Sequence, residues 1–185
     1  MLSDQAATIR ILILYVTAGA GHRRAAQALA QAASARYPQA DVSCVNLLDY
    51  TPQWFRHGYG WTYLMLVRHV SWLWNASYHF LDSGFGYRVI QPLRRAWNLL
   101  MTQHFMPWLR GQQPSIILAT HFFPADVCSA AKQRGELSAP LVVVVTDWHP
   151  HRFWLSPQAE AVVVATQERA VACEALPHEI SFTSV

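Results

Sequence analysis

Five stretches of the chain are dominated by aliphatic, largely β-branched residues, and helix-like or polar stretches separate them. The first, "IRILILYV" (residues 9–16), is an aliphatic run with β-branched members, polar only at Arg10, and ends at a glycine-rich turn, the pattern of a strand buried on both faces of a parallel sheet. "HRRAAQALAQAASAR" (22–36) follows. It is alanine-rich, free of glycine and proline, and stops before Pro38, which predicts a helix of about four turns. "DVSCVNLLD" (41–49) predicts a second strand, completing a βαβ unit. "SIILAT" (115–120), "APLVVVVTD" (139–147) and "EAVVVAT" (160–166) predict strands three to five, with a helix at about 124–134 and a short helix after the fifth strand. The alternation defines an α/β fold, a doubly wound parallel sheet.

Residues 51–110 break this rhythm. They show no strand-like alternation and many large side chains, interrupted by "DSGFG" (82–86), Pro92 and Pro107, so two or three helices are expected in place of an ordinary crossover. Charge sharpens the contrast. The chain carries +3 overall, but this segment holds six arginines against Asp82 alone, +5, and six of the eight tryptophans. Core packing accounts for any one of these aromatic residues. Taken together, tryptophan, tyrosine and arginine also fit an interfacial membrane surface, with Arg56, Trp61, Arg68, Trp72 and Trp74 as contacts. Trp72 and Trp74 are not at helical spacing, so they do not share one narrow face. Nucleic acid is disfavoured: no recognition motif is present and Lys132 is the only lysine.

A length of 185 residues suits one complete domain. With 52% hydrophobic and only 14% charged residues, the chain is not a disordered one. Cys44, Cys128 and Cys173 are odd in number and far apart, which suggests neither a disulfide framework nor a zinc site and fits a reducing cytosol. The N-terminus does not read as a signal peptide, and no apolar run reaches the roughly 18–20 residues of a spanning helix.

In an open parallel sheet, ligands collect beyond the carboxyl ends of the strands. The residues there are Gly19, Gly21 and His22 after strand one, Thr120 and His121 after strand three, and Thr146, Asp147, His149 and His151 after strand four. The loop "TAGAGH" serves either as a tight turn or as a phosphate cradle at a helix N-terminus. His22, at a helix start, is disfavoured as a cation and inclined to the neutral form that a general base needs. Asp147, His149 and His151 are awkwardly placed as a metal set, because alternating side chains and Pro150 separate them; hydrogen bonding within a substrate crevice suits them better, and no metal is expected. His121 reads as a crevice residue or as an ordinary strand-end residue before a helix begun by Pro124.

Three blocks, "ILILYVTAGAGHRRAAQALA", "IILATHFFPADVCSAAK" and "VVVVTDWHPHRFWLSPQAEAVVVATQE", together resemble the N-terminal domain of the monogalactosyldiacylglycerol synthases and the related bacterial diacylglycerol glucosyltransferases. Their order and spacing run nearly the length of the chain. The resemblance implies the Rossmann-like N-terminal half of a GT-B glycosyltransferase, acting in glycolipid biosynthesis by transferring galactose or glucose from a UDP-sugar to diacylglycerol at a membrane surface. It implies His22 as the base, Gly19, Ala20 and Gly21 as the loop facing the donor diphosphate, and Thr146, Asp147, His151 and Trp154 as cleft residues beside Thr120 and His121. It also implies that the middle segment contacts diacylglycerol and anionic lipid.

The expectation is therefore a single acceptor-binding domain over residues 1–185 with a helical membrane-contact insertion at about 51–112. Its donor-binding C-terminal domain is absent, so that the UDP-sugar would be held by that domain or a partner chain, and no cofactor is required. The expected location is the cytoplasmic face of a membrane, peripherally bound. Two alternatives remain open: a non-catalytic lipid-binding module or inactive truncated remnant, and a soluble enzyme whose first loop binds a phosphorylated ligand.

Overall fold

The computed structural model describes residues 8–69, 84–147, 152–166 and 182–184. In chain order the elements are β1 (Arg10–Tyr15), α1 (Gly21–Arg36), β2 (Asp41–Asn46), a 3-10 turn (Leu47–Tyr50), α2 (Gln53–His69), α3 (Gly84–Met101), α4 (Phe105–Gln112), β3 (Ile116–Ala119), α5 (Phe122–Gln133), β4 (Leu141–Val144), a second 3-10 turn (Arg152–Trp154), β5 (Ala161–Val164) and β6 (Phe182–Ser184). Among the described residues the strands form one sheet in the order β2-β1-β3-β4-β5-β6. Every pairing is parallel, as the continuous aliphatic runs predict.

Both faces of the sheet are covered. On one, Ile11 and Ile13 pack with Ala26 of α1. On the other, Leu12, Leu14, Ile117, Leu141 and Val143 meet Phe105, Leu109, Phe123 and Val127 of α4 and α5. The alternation of β1 side chains between the two clusters is the period-2 geometry of a strand buried on both sides.

The strand order reverses between β1 and β3: the chain leaves β1 for β2 on one side, then returns across it to β3 on the other. Backbone splays apart at such a switch point and opens a crevice at the carboxyl ends. His22 follows β1 there, and Thr120 and His121 follow β3. The sheet topology itself brings these distant residues together.

Several elements differ from the expectation. "DVSCVNLLD" ends as a strand at Asn46, because the Asn46 side chain accepts from Leu48 N–H and caps a 3-10 turn that buries Leu47 and Leu48. Pro92 does not interrupt the middle segment but lies inside α3. A helix-interior proline costs about 3 kcal/mol, and the bonds that Gln91, Arg94 and Asn98 make to α5 hold the helix across it. α5 begins at Phe122, capped by His121, rather than at Pro124. A sixth strand, β6, pairs Phe182, Thr183 and Ser184 with Val162, Val163 and Val164. The short helix expected after the fifth strand falls outside the described residues, as do Trp72, Trp74, His149, His151 and Cys173.

Candidate active site

The loop after β1 turns sharply at Gly19, whose φ of +101° is a conformation that favours glycine. Ala20 then caps α1 without a side-chain hydrogen bond, and the first turn of the helix has no acidic residue. It carries His22 with exposed Arg23 and Arg24 instead. Unsatisfied N–H groups, the positive end of the helix dipole and two guanidinium groups give this turn a positive field. A Cβ added at Gly19 or Gly21 would meet nothing within 4 Å, so the backbone there is open to approach.

His22 is held from three strands. The Thr120 hydroxyl reaches the carbonyls of Leu14 and His22, at 3.3 and 3.1 Å, tying the end of β3 to β1 and to the first turn of α1. His22 Nδ1 lies 3.1 Å from the Thr120 carbonyl and within hydrogen-bonding distance of the Thr146 hydroxyl. Thr146 in turn donates to the same carbonyl at 3.1 Å. A carbonyl only accepts, and the Thr146 proton is already given to it, so Nδ1 carries the imidazole proton and donates to both oxygens. The lone pair is therefore on Nε2. That atom lies 3.7 Å from Asp147 Oδ1.

Asp147 is oriented by its other oxygen, which accepts from the Trp154 indole N–H at 2.9 Å. Trp154 is fully buried in the second 3-10 turn and anchors the loop after β4. Side-chain exposure is 14% for His22 and 29% for Asp147, so the pair is largely shielded yet reachable from one side. Burial lowers the His22 pKa below its ordinary value of 6.5, and the Asp147 carboxylate and the Thr120 carbonyl oppose that shift without cancelling it. The imidazole is thus neutral at physiological pH, with its free nitrogen beside a carboxylate that would stabilise it once protonated.

His121 takes a different part. It is buried, and its Nδ1 accepts from Phe123 N–H at 3.0 Å as the N-cap of α5. Its ring meets His22 edge-on at 4.5 Å and Phe122 at 4.2 Å, forming one wall of the crevice. Thr120, His121, Thr146, Asp147 and Trp154 are thereby brought around His22, three of them as its positioning contacts.

Tyr59, Arg94, Phe153 and Asp126 also belong to this neighbourhood and were not singled out in the sequence. Tyr59 of α2 stacks on Phe123 at 5.8 Å and faces His121 at 6.3 Å, and burial pushes its phenol well above the ordinary range. The buried Asp126 carboxylate receives Arg94 Nη2 at 2.9 Å and Asn98 Nδ2 at 2.7 Å, joining α3 to α5. The signal for this link was a lone acid in the apolar "FFPADVCSAA", matched by Gln91, Arg94 and Asn98 at i, i+3 and i+7 of α3.

The insertion presents an apolar face. Trp54, Trp61 and Met65 recur along one side of α2, and Val89, Leu93, Trp97 and Leu100 along one side of α3, all exposed. The Trp54 and Trp97 rings, 6.2 Å apart, join the two stripes. Arg56 is paired with Asp49 at 3.1 Å, and Arg88 is exposed. Arg68 lies in α2, with its side chain not described. Among the described residues no helix is long and apolar enough to cross a membrane.

Fold and site together define a Rossmann-like α/β domain with a histidine–aspartate pair at its switch-point crevice. The chain belongs to the monogalactosyldiacylglycerol (MGDG) synthase family, whose model matches residues 22–177. It is similar to a processive diacylglycerol beta-glucosyltransferase of Staphylococcus epidermidis, 32% identical over 57 residues, which are 31% of this chain and 14% of that enzyme. The enzyme of the same name from Staphylococcus aureus strain Newman is 33% identical over 57 residues, with the same two shares. The matching stretch thus spans only 14% of the length of these curated relatives.

Proposed function

We propose that this chain is the acceptor-binding half of a glycolipid glycosyltransferase that moves galactose or glucose from a UDP-sugar to the free hydroxyl of diacylglycerol, with His22 as general base. The single observation that carries this is the placement of the His22 ring: Nδ1 lies against the Thr120 carbonyl and the Thr146 hydroxyl, to which it donates in this reading, and Nε2 faces Asp147 in the crevice. In the step, Nε2 takes the proton of the acceptor hydroxyl as its oxygen attacks the anomeric carbon. The bond from that carbon to the diphosphate breaks, and the electron pair leaves with UDP. Asp147 stabilises the imidazolium as it forms. A single displacement inverts the anomeric carbon, so an α-linked donor yields a β-glycoside, in keeping with the names of the relatives.

Gly19, Ala20 and Gly21 suit the donor diphosphate, since the uncapped α1 terminus and its arginines favour an anion. The UDP-sugar would be held chiefly by a second domain or partner chain. The joined apolar stripes of α2 and α3, flanked by arginine and free of acidic residues, suit peripheral docking on anionic lipid, which would bring the crevice to its membrane-borne acceptor.

The test is hexose transfer from the UDP-sugar to diacylglycerol by this chain complemented with a donor-binding domain. His22→Ala is expected to lose about 10²–10⁴ in rate. Unchanged transfer by that variant removes the assigned base. Liposome binding with no transfer under any complementation would instead identify a non-catalytic lipid-binding module.

A further inference from the structure

The His22–Asp147 geometry depends on the 3-10 turn Arg152–Trp154, because Trp154 holds the second oxygen of Asp147. The turn packs on Phe122 and His121 through ring contacts, and a further contact comes from α3. The Arg94 guanidinium carbon of α3 lies 4.0 Å from the centroid of the Phe153 ring. At that distance the guanidinium sits over the ring, a contact that a planar guanidinium makes and a lysine ammonium does not reproduce in the same way. Arg94 is itself fixed, donating to Asp126 Oδ1 at 2.9 Å and from Nε and Nη2 to Gln91 Oε1 at 3.1 and 2.9 Å. A continuous series of contacts therefore runs Asp126, Arg94, Phe153, Trp154, Asp147, His22.

We propose that Arg94 is a positioning residue for the His22–Asp147 pair, holding Phe153 so that Trp154 keeps Asp147 turned toward His22 Nε2. The inference rests on the proposed role of that pair. Arg94 touches neither reacting atom. It acts by fixing the turn, since an Asp147 released from the indole can swing toward solvent, where its 29% exposure already leaves room. The imidazolium formed on proton abstraction would then lack its counter-charge. α3 thus carries the crevice support on its inner face, at Gln91, Arg94 and Asn98, and the exposed apolar stripe on its outer face.

The groups around His22 that titrate or bear charge are Asp147 beyond β4, His121 at the start of α5, Tyr59 of α2 behind His121, with Arg94 of α3 acting on that phenol, and Arg23 next to His22 on α1. Of these, Asp147 raises the His22 pKa. Its displacement has a signature that loss of stability alone does not produce.

The experiment follows the His22 ring by NMR in histidine-labelled chain across pH, with His22→Gln assigning the signal. Asp147→Asn is expected to lower the titration midpoint. Arg94→Lys and Phe153→Leu are expected to lower it in the same direction, to add nothing when combined with Asp147→Asn, and Phe153→Tyr is expected to restore the wild-type value. Phe153→Leu leaves the Asp126 network intact, so it serves if Arg94→Lys does not fold. A midpoint that stays or rises in Arg94→Lys and Phe153→Leu, while Asp147→Asn lowers it, overturns the positioning role alone. A midpoint unmoved by Asp147→Asn overturns the pair, and the positioning role with it.

Discussion

Asp126 is the acceptor for several donors at once, and its substitution separates charge from shape. Its two oxygens receive Arg94 at 2.9 Å, Asn98 at 2.7 Å and Gln91 at 3.4 Å, and Arg95 Nε stands 3.7 Å away. Side-chain exposure is 6% for Asp126 and 14% for Arg94, so water cannot replace what is lost. Asp126→Asn conserves volume but turns one oxygen into an N–H₂ donor that faces either Asn98 or Arg94, both of which donate as well. The arginine is left buried without its counter-charge. Breaking a buried pair from one side costs about 3–5 kcal/mol, whereas replacing both partners with apolar groups of similar volume is often nearly neutral. Urea denaturation should therefore show Asp126→Asn and Arg94→Met each destabilised by about that amount, with the double variant Asp126→Leu/Arg94→Met less destabilised than the sum of the two, its remaining cost being the buried Asn98 and Gln91 donors left without their acceptor. If Asp126→Asn costs less than about 1 kcal/mol, within the range of an exposed pair, then α3 is not held to α5 as described.

Three further outcomes follow from separate features. Gly19→Ala meets no atom within 4 Å, so its cost is backbone strain at φ +101° alone, about 1–3 kcal/mol by thermal or chemical denaturation; an unchanged midpoint would mean the loop does not turn there. Leu93→Ser, 69% exposed, should leave stability unaltered yet weaken co-sedimentation with anionic vesicles by roughly tenfold or more, given about 1.5–3 kcal/mol for a buried leucine; unaltered binding removes α3 from the lipid surface. Because folding lowers the His22 pKa, the unfolded chain binds more protons between the two values, and stability is complete above about 6.5 and declines as pH falls through the folded value. His22→Gln should flatten that part of the unfolding free energy against pH, and an unchanged slope assigns it to other groups.

Much of the sheet was legible because "ILIL", "IILA" and "LVVV" are short, unbroken aliphatic runs bounded by turns, as strands covered on both faces are. In a parallel sheet the carboxyl ends that carry His22, His121 and Asp147 lie along one edge, whatever their separation in sequence. Their division of labour was not legible. His121 and His22 look alike as letters, and only the bond from Phe123 N–H makes one a helix cap, while the Thr120 carbonyl and the Thr146 hydroxyl hold Nδ1 of the other. The Asp126–Arg94 link joins positions 32 residues apart by a register between two helices, which no local period encodes. β6 was not legible because "FTS" is short and mostly polar, and its place is set by pairing to β5 rather than by its own pattern. In the insertion, Trp72 and Trp74 lie outside the described residues. The face that the described residues present is instead assembled from two helices, where Trp54 meets Trp97.

The most direct measurement is the pH dependence of kcat/KM for hexose transfer by the complemented enzyme, wild type against His22→Ala. The account predicts an acid limb in the wild type below the ordinary histidine value of 6.5, and a loss of about 10²–10⁴ in the variant that abolishes that limb. A variant that keeps both the rate and the limb would contradict it.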